Sequence, residues 1–248
     1  MLWIRRTCPT MAAALMVLSA VACSGGSDTQ SGATTRAISN DQLPQMVLSL
    51  EQFGPELSGF TPDTENGFQT IDQVAKSEDD PAAERTDLQR FGWASAYQSM
   101  FANPNGDQSV GVLGAGSVAY LFATSDGLNG YWQDSLDEVN NPTSTEGSAA
   151  LRKAERIKFE AGDEAIGFKI RDQFQRGDGS TANLTGWLLL FRHDRLMGSV
   201  FISAADVDDL EGQRLQGKAE ALASTLNDRM AATLAAQPAS AAPAAAGG

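Results

Sequence analysis

The sequence predicts an α+β fold: an antiparallel sheet of about six strands flanked by helices, with a long C-terminal helix. Three observations carry this. Residues 91–204 alternate in polarity with a period of two and are broken by short turn-forming sequences, the mark of strands joined as hairpins. Leu210, Leu215, Ala219, Leu222, Leu226 and Met230 recur at helical spacing after the last strand. Hairpins with short turns require antiparallel pairing, and helices segregated from such strands define the class.

The elements follow in order. Leu43-Pro44 opens a turn that continues as a short helix or strand burying Val47, Leu48 and Leu50. Gly54-Pro55 and Gly59-Phe60 break it, and 63–66 is a loop. Helical turns are expected over 70–76 and 84–89. In the first predicted strand Trp93, Ser95, Tyr97, Ser99 and Phe101 alternate with Ala94, Ala96, Gln98 and Met100. Asn103-Pro104-Asn105-Gly106-Asp107 turns the chain, and 110–123 pairs back as a second strand. Its glycines at 111, 114 and 116 suggest a bulge or a close backbone approach. Ser125 caps a helix over 126–139 with Leu128, Trp132 (or Tyr131), Leu136 and Val139 on one face, and Asn140-Asn141-Pro142 stops it. Residues 143–149 form a loop.

Four strands follow, over 155–160, 164–174, 184–192 and 195–204. Arg176-Gly177-Asp178-Gly179-Ser180 and His193-Asp194 supply the turns. Trp187-Leu188-Leu189-Leu190-Phe191 is apolar on both faces, which predicts a central strand covered on both sides. Asp206 caps the final helix, with Asp208, Asp209 and Glu211 in its first turn, where the helix dipole favours acids.

The chain has 248 residues, 18 bases and 31 acids, for a net charge of −13. That excludes nucleic-acid binding, which needs a basic surface, and a polybasic membrane patch. Residues 23–90 alone hold twelve acids and four bases, a net of −8. Two cysteines, Cys8 and Cys23, exclude a disulfide framework and a cysteine-rich zinc module, and one histidine excludes a histidine-rich metal site. No cofactor is expected.

The N-terminus reads as a targeting segment. Arg5 and Arg6 form a positive region ahead of an apolar region of twelve residues, 11–22, too short to span a bilayer of about 30 Å. The segment ends Ala20-Val21-Ala22-Cys23-Ser24. This resembles the lipobox of bacterial lipoproteins, with Ala20 where that family prefers leucine. The resemblance implies cleavage before Cys23, lipid on its sulfur, a membrane partner through that anchor, and placement in the cell envelope, the outer membrane in a Gram-negative host. Ala20-x-Ala22 also fits an ordinary signal-peptide site, and the paired arginines leave a twin-arginine signal open. The domain organisation is then a signal peptide over 1–22, a small polar tether over 23–39, one α+β domain over 40–234, and an Ala/Pro/Gly tail over 235–248.

The segments Phe91–Phe101, Gly162-Asp163-Glu164-Ala165 and Phe191-Arg192-His193-Asp194-Arg195-Leu196 are similar to PsbP-like domains and to small envelope lipoproteins of actinobacteria and other bacteria. The similarity covers about 91–232 and implies a sheet of about six strands flanked by helices, without an activity.

The candidate sites are sparse. Gly114-Ala115-Gly116-Ser117-Val118-Ala119 fits a loose dinucleotide pattern, but Tyr120-Leu121-Phe122 continues as strand where that chemistry needs a helix. Any Ser-His-Asp arrangement must use His193, which falls at a predicted hairpin tip as an exposed turn residue. Asp206, Asp208, Asp209 and Glu211 lack the spacing of a calcium loop and read as helix capping. Arg176-Gly177-Asp178 is the integrin-recognition tripeptide, common by chance in loops. Glu78-Asp79-Asp80 reads as a solvated loop, and Asp163 and Glu164 as turn residues. Trp93, Tyr97 and Trp132 are the candidate ligand-binding residues, for a cleft between the 125–139 helix and the strand bearing Trp93 and Tyr97. No catalytic or metal-binding set is found.

The expected function is a membrane-anchored envelope lipoprotein with a non-catalytic domain that binds a small ligand or an envelope protein. The alternatives are an accessory structural subunit of an envelope complex and a hydrolase working through carboxylates alone.

Overall fold

The computed structural model describes residues 38–76, 81–106, 108–140 and 154–236. The class is α+β, as expected: one antiparallel sheet with helices on both faces. Strands β1 (Thr61–Pro62), β3 (Trp93–Ala102), β4 (Gly111–Phe122), β8 (Leu196–Ala205), β7 (Thr181–His193), β6 (Glu164–Gln175) and β5 (Glu155–Ile157) lie side by side in that order, and β2 (Gly67–Gln69) also pairs with β3. All six expected strands form. The two additional ones, β1 and β2, are two and three residues long, too short to show a period.

Four hairpins follow the chain order: β3–β4, β5–β6, β6–β7 and β7–β8. The sheet closes into one body through β4–β8, a pairing across 74 residues of chain from Phe122 to Leu196. Helix α3 (Ser125–Asn140) lies within that crossing. Strand β8 takes the centre and is buried at all ten positions, while β7 beside it is covered on both faces from Gly186 to Phe191.

One face carries the long helix α4 (Asp209–Ala236) and the N-terminal strap. Leu215, Ala219, Leu222, Ala223, Leu226, Met230 and Leu234 are buried along α4, against Trp187, Leu189, Phe191, Val200 and Ile202. A fully buried leucine of this kind contributes about 1.5–3 kcal/mol. The strap is a run of 3-10 turns, Asn40–Met46, Leu50–Phe53 and Pro55–Leu57, which buries Leu43, Met46, Val47, Leu48, Phe53 and Leu57. Leu50, expected in this core, is only half-buried. Two polar staples hold the strap: the Leu48 amide donates to Ser117 Oγ at 2.8 Å, and Arg229 donates to the Val47 carbonyl.

The opposite face carries α1 (Ile71–Ala75), α2 (Pro81–Arg90) and α3. Thr70 begins α1 with a capping box: the Gln73 amide donates to Thr70 Oγ1, and the Thr70 amide to Gln73 Oε1. Leu88, Leu128, Tyr131 and Trp132 pack on Trp93, Ala96, Phe122, Leu190 and Met197. Gly127 brings α3 against the loop before β3, since a Cβ there would lie 2.2 Å from the Phe91 carbonyl oxygen.

Two helix starts differ from expectation. Thr124, not Ser125, caps α3: its Oγ1 accepts the Gly127 amide at 3.0 Å, while the Ser125 hydroxyl bonds to Asp194. Asp208, not Asp206, caps α4, accepting the Glu211 amide at 2.8 Å. Asp206 sits two residues earlier at φ 50°, accepting from the Asn183 amide and from Arg176. The helix therefore begins later, and Leu210, expected in the buried stripe, is 78% exposed in its first turn. The expected stop of α3 and loop at 141–149, the acids at 78–80, and Asp107 lie outside the described residues, as do the targeting segment, Cys23, the tether through residue 37, and the tail from 237.

Candidate functional site

The three candidate aromatic residues do not come together on one face. A register shift between Trp93 and Ser95 places two steps of β3 against one step of β4. Trp93 pairs with Phe122 and joins the layer under α2 and α3, while Tyr97 pairs with Ala119 and faces the α4 side. Trp132 comes from α3 into the same layer as Trp93. Tyr97 instead meets Phe68 of β2 edge to face, with ring centroids 5.0 Å apart.

The Trp93–Trp132 layer is the strongest candidate site in the described residues. Both indoles are more than nine-tenths buried, and neither Nε1 has a hydrogen-bond partner. Asn129 Oδ1, one helical turn before Trp132, is likewise buried without a donor. An indole N–H is only a donor and an amide oxygen only an acceptor, so the layer offers two donors and one acceptor. A buried polar group left this way costs about 1–3 kcal/mol. Trp187 on the α4 face has the same unpaired nitrogen. Helix α2 turns Glu84, Asp87 and Leu88 towards this layer, and the Glu84 side chain is completely buried. The sequence predicts helical turns over 84–89 and gives these acids no place in a site. Their spacing relative to Leu88 was the available signal: Glu84 lies four residues before it on one helix face. At the rim, burial raises the Asp134 carboxyl above its usual range against the opposing pull of Arg90, 3.3 Å away.

His193 is not a solvated turn residue. It ends β7, its side chain is 17% exposed, and its Nε2 lies 2.6 Å from Asn227 Oδ1 of α4. Its Nδ1 faces Asp163 Oδ1 at 3.9 Å, and Asp163 Oδ2 accepts the Asp194 amide at 2.8 Å. The turn residue Asp194 adopts φ 50°, and its carboxylate takes the Ser125 hydroxyl. Serine, histidine and aspartates therefore meet at one end of the sheet, but the serine is bonded to Asp194 and the imidazole to Asn227. That arrangement ties β7, α3, α4 and the 162–163 turn together, without a serine–imidazole bond to activate a nucleophile. Glu164 is held by Arg192 through two bonds, at 3.2 and 3.1 Å.

The remaining motifs are also structural. Gly114–Ala119 is strand, and Gly116 lets β3 approach: a Cβ there would lie 2.1 Å from Met100 Sδ. Arg176 of the tripeptide is engaged by Asp206 at 2.6 Å and by the Ser109 carbonyl at 3.1 Å, with its side chain only 11% exposed. Asp178 accepts from the Ser180 amide and hydroxyl. An adhesion loop needs both side chains free, so this loop lacks that presentation. The Asn183 amide and Arg176 hold the Asp206 carboxyl below its usual range. Among the described residues no group of three or more His, Cys, Asp or Glu is placed to hold a metal ion, and no helix is long and apolar enough to cross a membrane.

The fold defines a class of protein, a helix-covered antiparallel α+β domain, rather than a family. No protein-family profile matches the chain, and no curated protein matches it. Among solved structures it is similar to the extracellular domain of PknH from Mycobacterium tuberculosis, with 12% identity and a TM-score of 0.46, covering 79% of this chain and 100% of that one. A likeness this distant carries no argument about function.

Proposed function

We propose that the chain is an exported envelope lipoprotein, anchored through lipid on Cys23, whose domain binds a ligand or a protein partner and performs no chemistry of its own. One observation carries the reading: Cys23 follows a charged start and a twelve-residue apolar segment at the position where a lipobox cysteine stands. Several acyl chains on one residue give stable anchoring where one gives marginal binding. Fourteen residues lie between Cys23 and Ile38, whose carbonyl accepts from Arg195 at 3.0 Å. The binding half is supported by the unpaired indole donors of Trp93 and Trp132.

The test is made in a bacterial host that lipidates its own lipoproteins. The wild-type chain is expected in the membrane fraction, its N-terminal peptide carrying the mass of acyl chains on Cys23, and Cys23→Ala in the soluble envelope fraction. Identical fractionation of the two removes the anchor. Native mass spectrometry of the detergent-extracted chain reads the binding half: a small bound mass indicates a ligand carrier, and a stoichiometric co-purifying protein an accessory subunit.

A further inference from the structure

The chain holds three Asn-Gly pairs, at 66–67, 105–106 and 129–130. In such a pair the glycine nitrogen can attack the carbonyl carbon of the preceding side chain, and glycine has no Cβ to shield that nitrogen. The attack needs a side chain free to turn back and a main chain free to bend. The fold grants these freedoms unequally.

Asn66 has neither. Its Nδ2 donates to the Met100 carbonyl at 2.8 Å and its Oδ1 accepts the Met100 amide at 2.7 Å, so both ends of the side-chain amide are held. Gly67 pairs with Gln98 as the first residue of β2. Asn129 lies in the second turn of α3, where the helix fixes its main chain, and its Oδ1 is buried. Gly130 lies against Phe91, since a Cβ there would be 2.8 Å from the ring.

Asn105 is placed differently. It stands in the turn between β3 and β4 and is exposed. Among the described residues its hydrogen bonds use the main chain. Its amide donates to Asn103 Oδ1 at 2.9 Å, and its carbonyl accepts from the Gln108 amide at 3.0 Å and from Ser109 Oγ at 2.7 Å. The Gly106 amide donates to the Asn103 carbonyl at 3.0 Å, the one turn bond that the attack must break. Surface turns open locally at small cost, whereas freeing a strand or a helix requires a larger cooperative unit to open.

We infer that Asn105 is a site of intramolecular deamidation, with water as the co-reactant. The Gly106 nitrogen gives its lone pair to Asn105 Cγ, and its proton passes to solvent. The bond from Cγ to Nδ2 breaks, and ammonia leaves with a proton returned by solvent. The product is a cyclic imide. Water adds to one of the two imide carbonyl carbons and opens the ring, leaving aspartate or isoaspartate at position 105. Either product carries one negative charge more than the chain's −13. Isoaspartate also adds a carbon to the main chain, inside a turn that is tied to the next hairpin by Arg176 donating to the Ser109 carbonyl at 3.1 Å. The inference rests on turn geometry and stands whether or not Cys23 is lipidated or a ligand binds.

The test incubates the full chain in mildly alkaline buffer made with heavy-oxygen water and follows each Asn-Gly peptide by mass spectrometry. The Asn105 peptide is expected to exchange its amide for a carboxylate carrying solvent oxygen, about ten times faster or more than the Asn66 and Asn129 peptides. In denaturant the three rates are expected to converge. Gly106→Ala places a Cβ 3.2 Å from the Asn103 carbonyl oxygen and shields the attacking nitrogen, so conversion should slow. Asn105→Gln keeps the main-chain bonds of the turn and closes the larger ring far more slowly, so residue 105 should stay an amide. An unchanged Asn105 peptide, equal rates at the three pairs in the folded chain, or undiminished conversion in either variant overturns the proposal. So does a lead for Asn105 that persists in denaturant, because the fold would then not select the site.

Discussion

The two faces of the sheet are covered by different means. On one, the 28-residue helix α4 spans about 42 Å and packs a continuous stripe from Leu215 to Leu234. Its rim is tied by polar groups: Lys218 and Arg214 both meet Glu56, Arg214 meets Glu211 at 2.7 Å, and Arg229 meets the Val47 carbonyl. On the other, three helices of five, ten and sixteen residues share the work, and two buried indoles and an amide lack partners. The first face leaves one buried indole nitrogen, that of Trp187, without a partner, and the second leaves two indole nitrogens and the Asn129 amide oxygen.

The comparison is broken most severely by Leu226→Ala. Leu226 is fully buried in the α4 stripe, so its truncation is expected to cost about 2–5 kcal/mol and to lower the denaturant midpoint of the whole domain. A loss below 1 kcal/mol would show that α4 docks loosely.

Gly127→Ala acts on the other face. The new Cβ has no room against the Phe91 backbone, so α3 must shift, at about 1–3 kcal/mol for overpacking. Hydrogen exchange is expected to rise along α3 while α4 stays protected. Equal loosening of both helices would mean that the faces are coupled as one unit.

The smallest effect sharpens the comparison through pH. Partial burial pulls the Glu56 carboxyl up, but the Lys218 ammonium, its own amide and Arg214 outweigh it and bring it from 4.5 down to about 2. A carboxyl with its folded value depressed stabilises the fold above the unfolded value, and that stability is lost as pH falls from about 4.5 towards 2. Glu56→Gln should flatten the stability profile in that window and lower it by a constant amount above pH 5. An unchanged acid limb would show that the pair contributes nothing measurable, as many exposed ion pairs do.

Much of this architecture is legible in the residues. Alternation located six strands, and the spacing of Leu215 to Met230 located α4, because both periods are local. Leu210 kept the period but fell outside the stripe, because Asp206 was already engaged by Asn183 and Arg176 and the helix began only at Asp209. Tyr97 shares a period with Trp93, yet one extra residue at the register shift puts them on opposite faces. His193 sits beside its hairpin turn as expected, but the packing of Asn227, 34 residues later, takes it out of solvent.

The sequence by itself determined the class, the hairpins, the helix stripe and the acidic charge balance. These depend on side-chain periodicity and turn chemistry, which act over a few residues. The tertiary structure decided that β4 pairs with β8, that β8 is the centre, that the strap covers the α4 face, and that Trp93 and Trp132 share a layer without Tyr97. Those outcomes depend on which surfaces, far apart in the chain, bury each other best. A bulge or an occupied carboxylate shifts that balance without leaving a periodic trace.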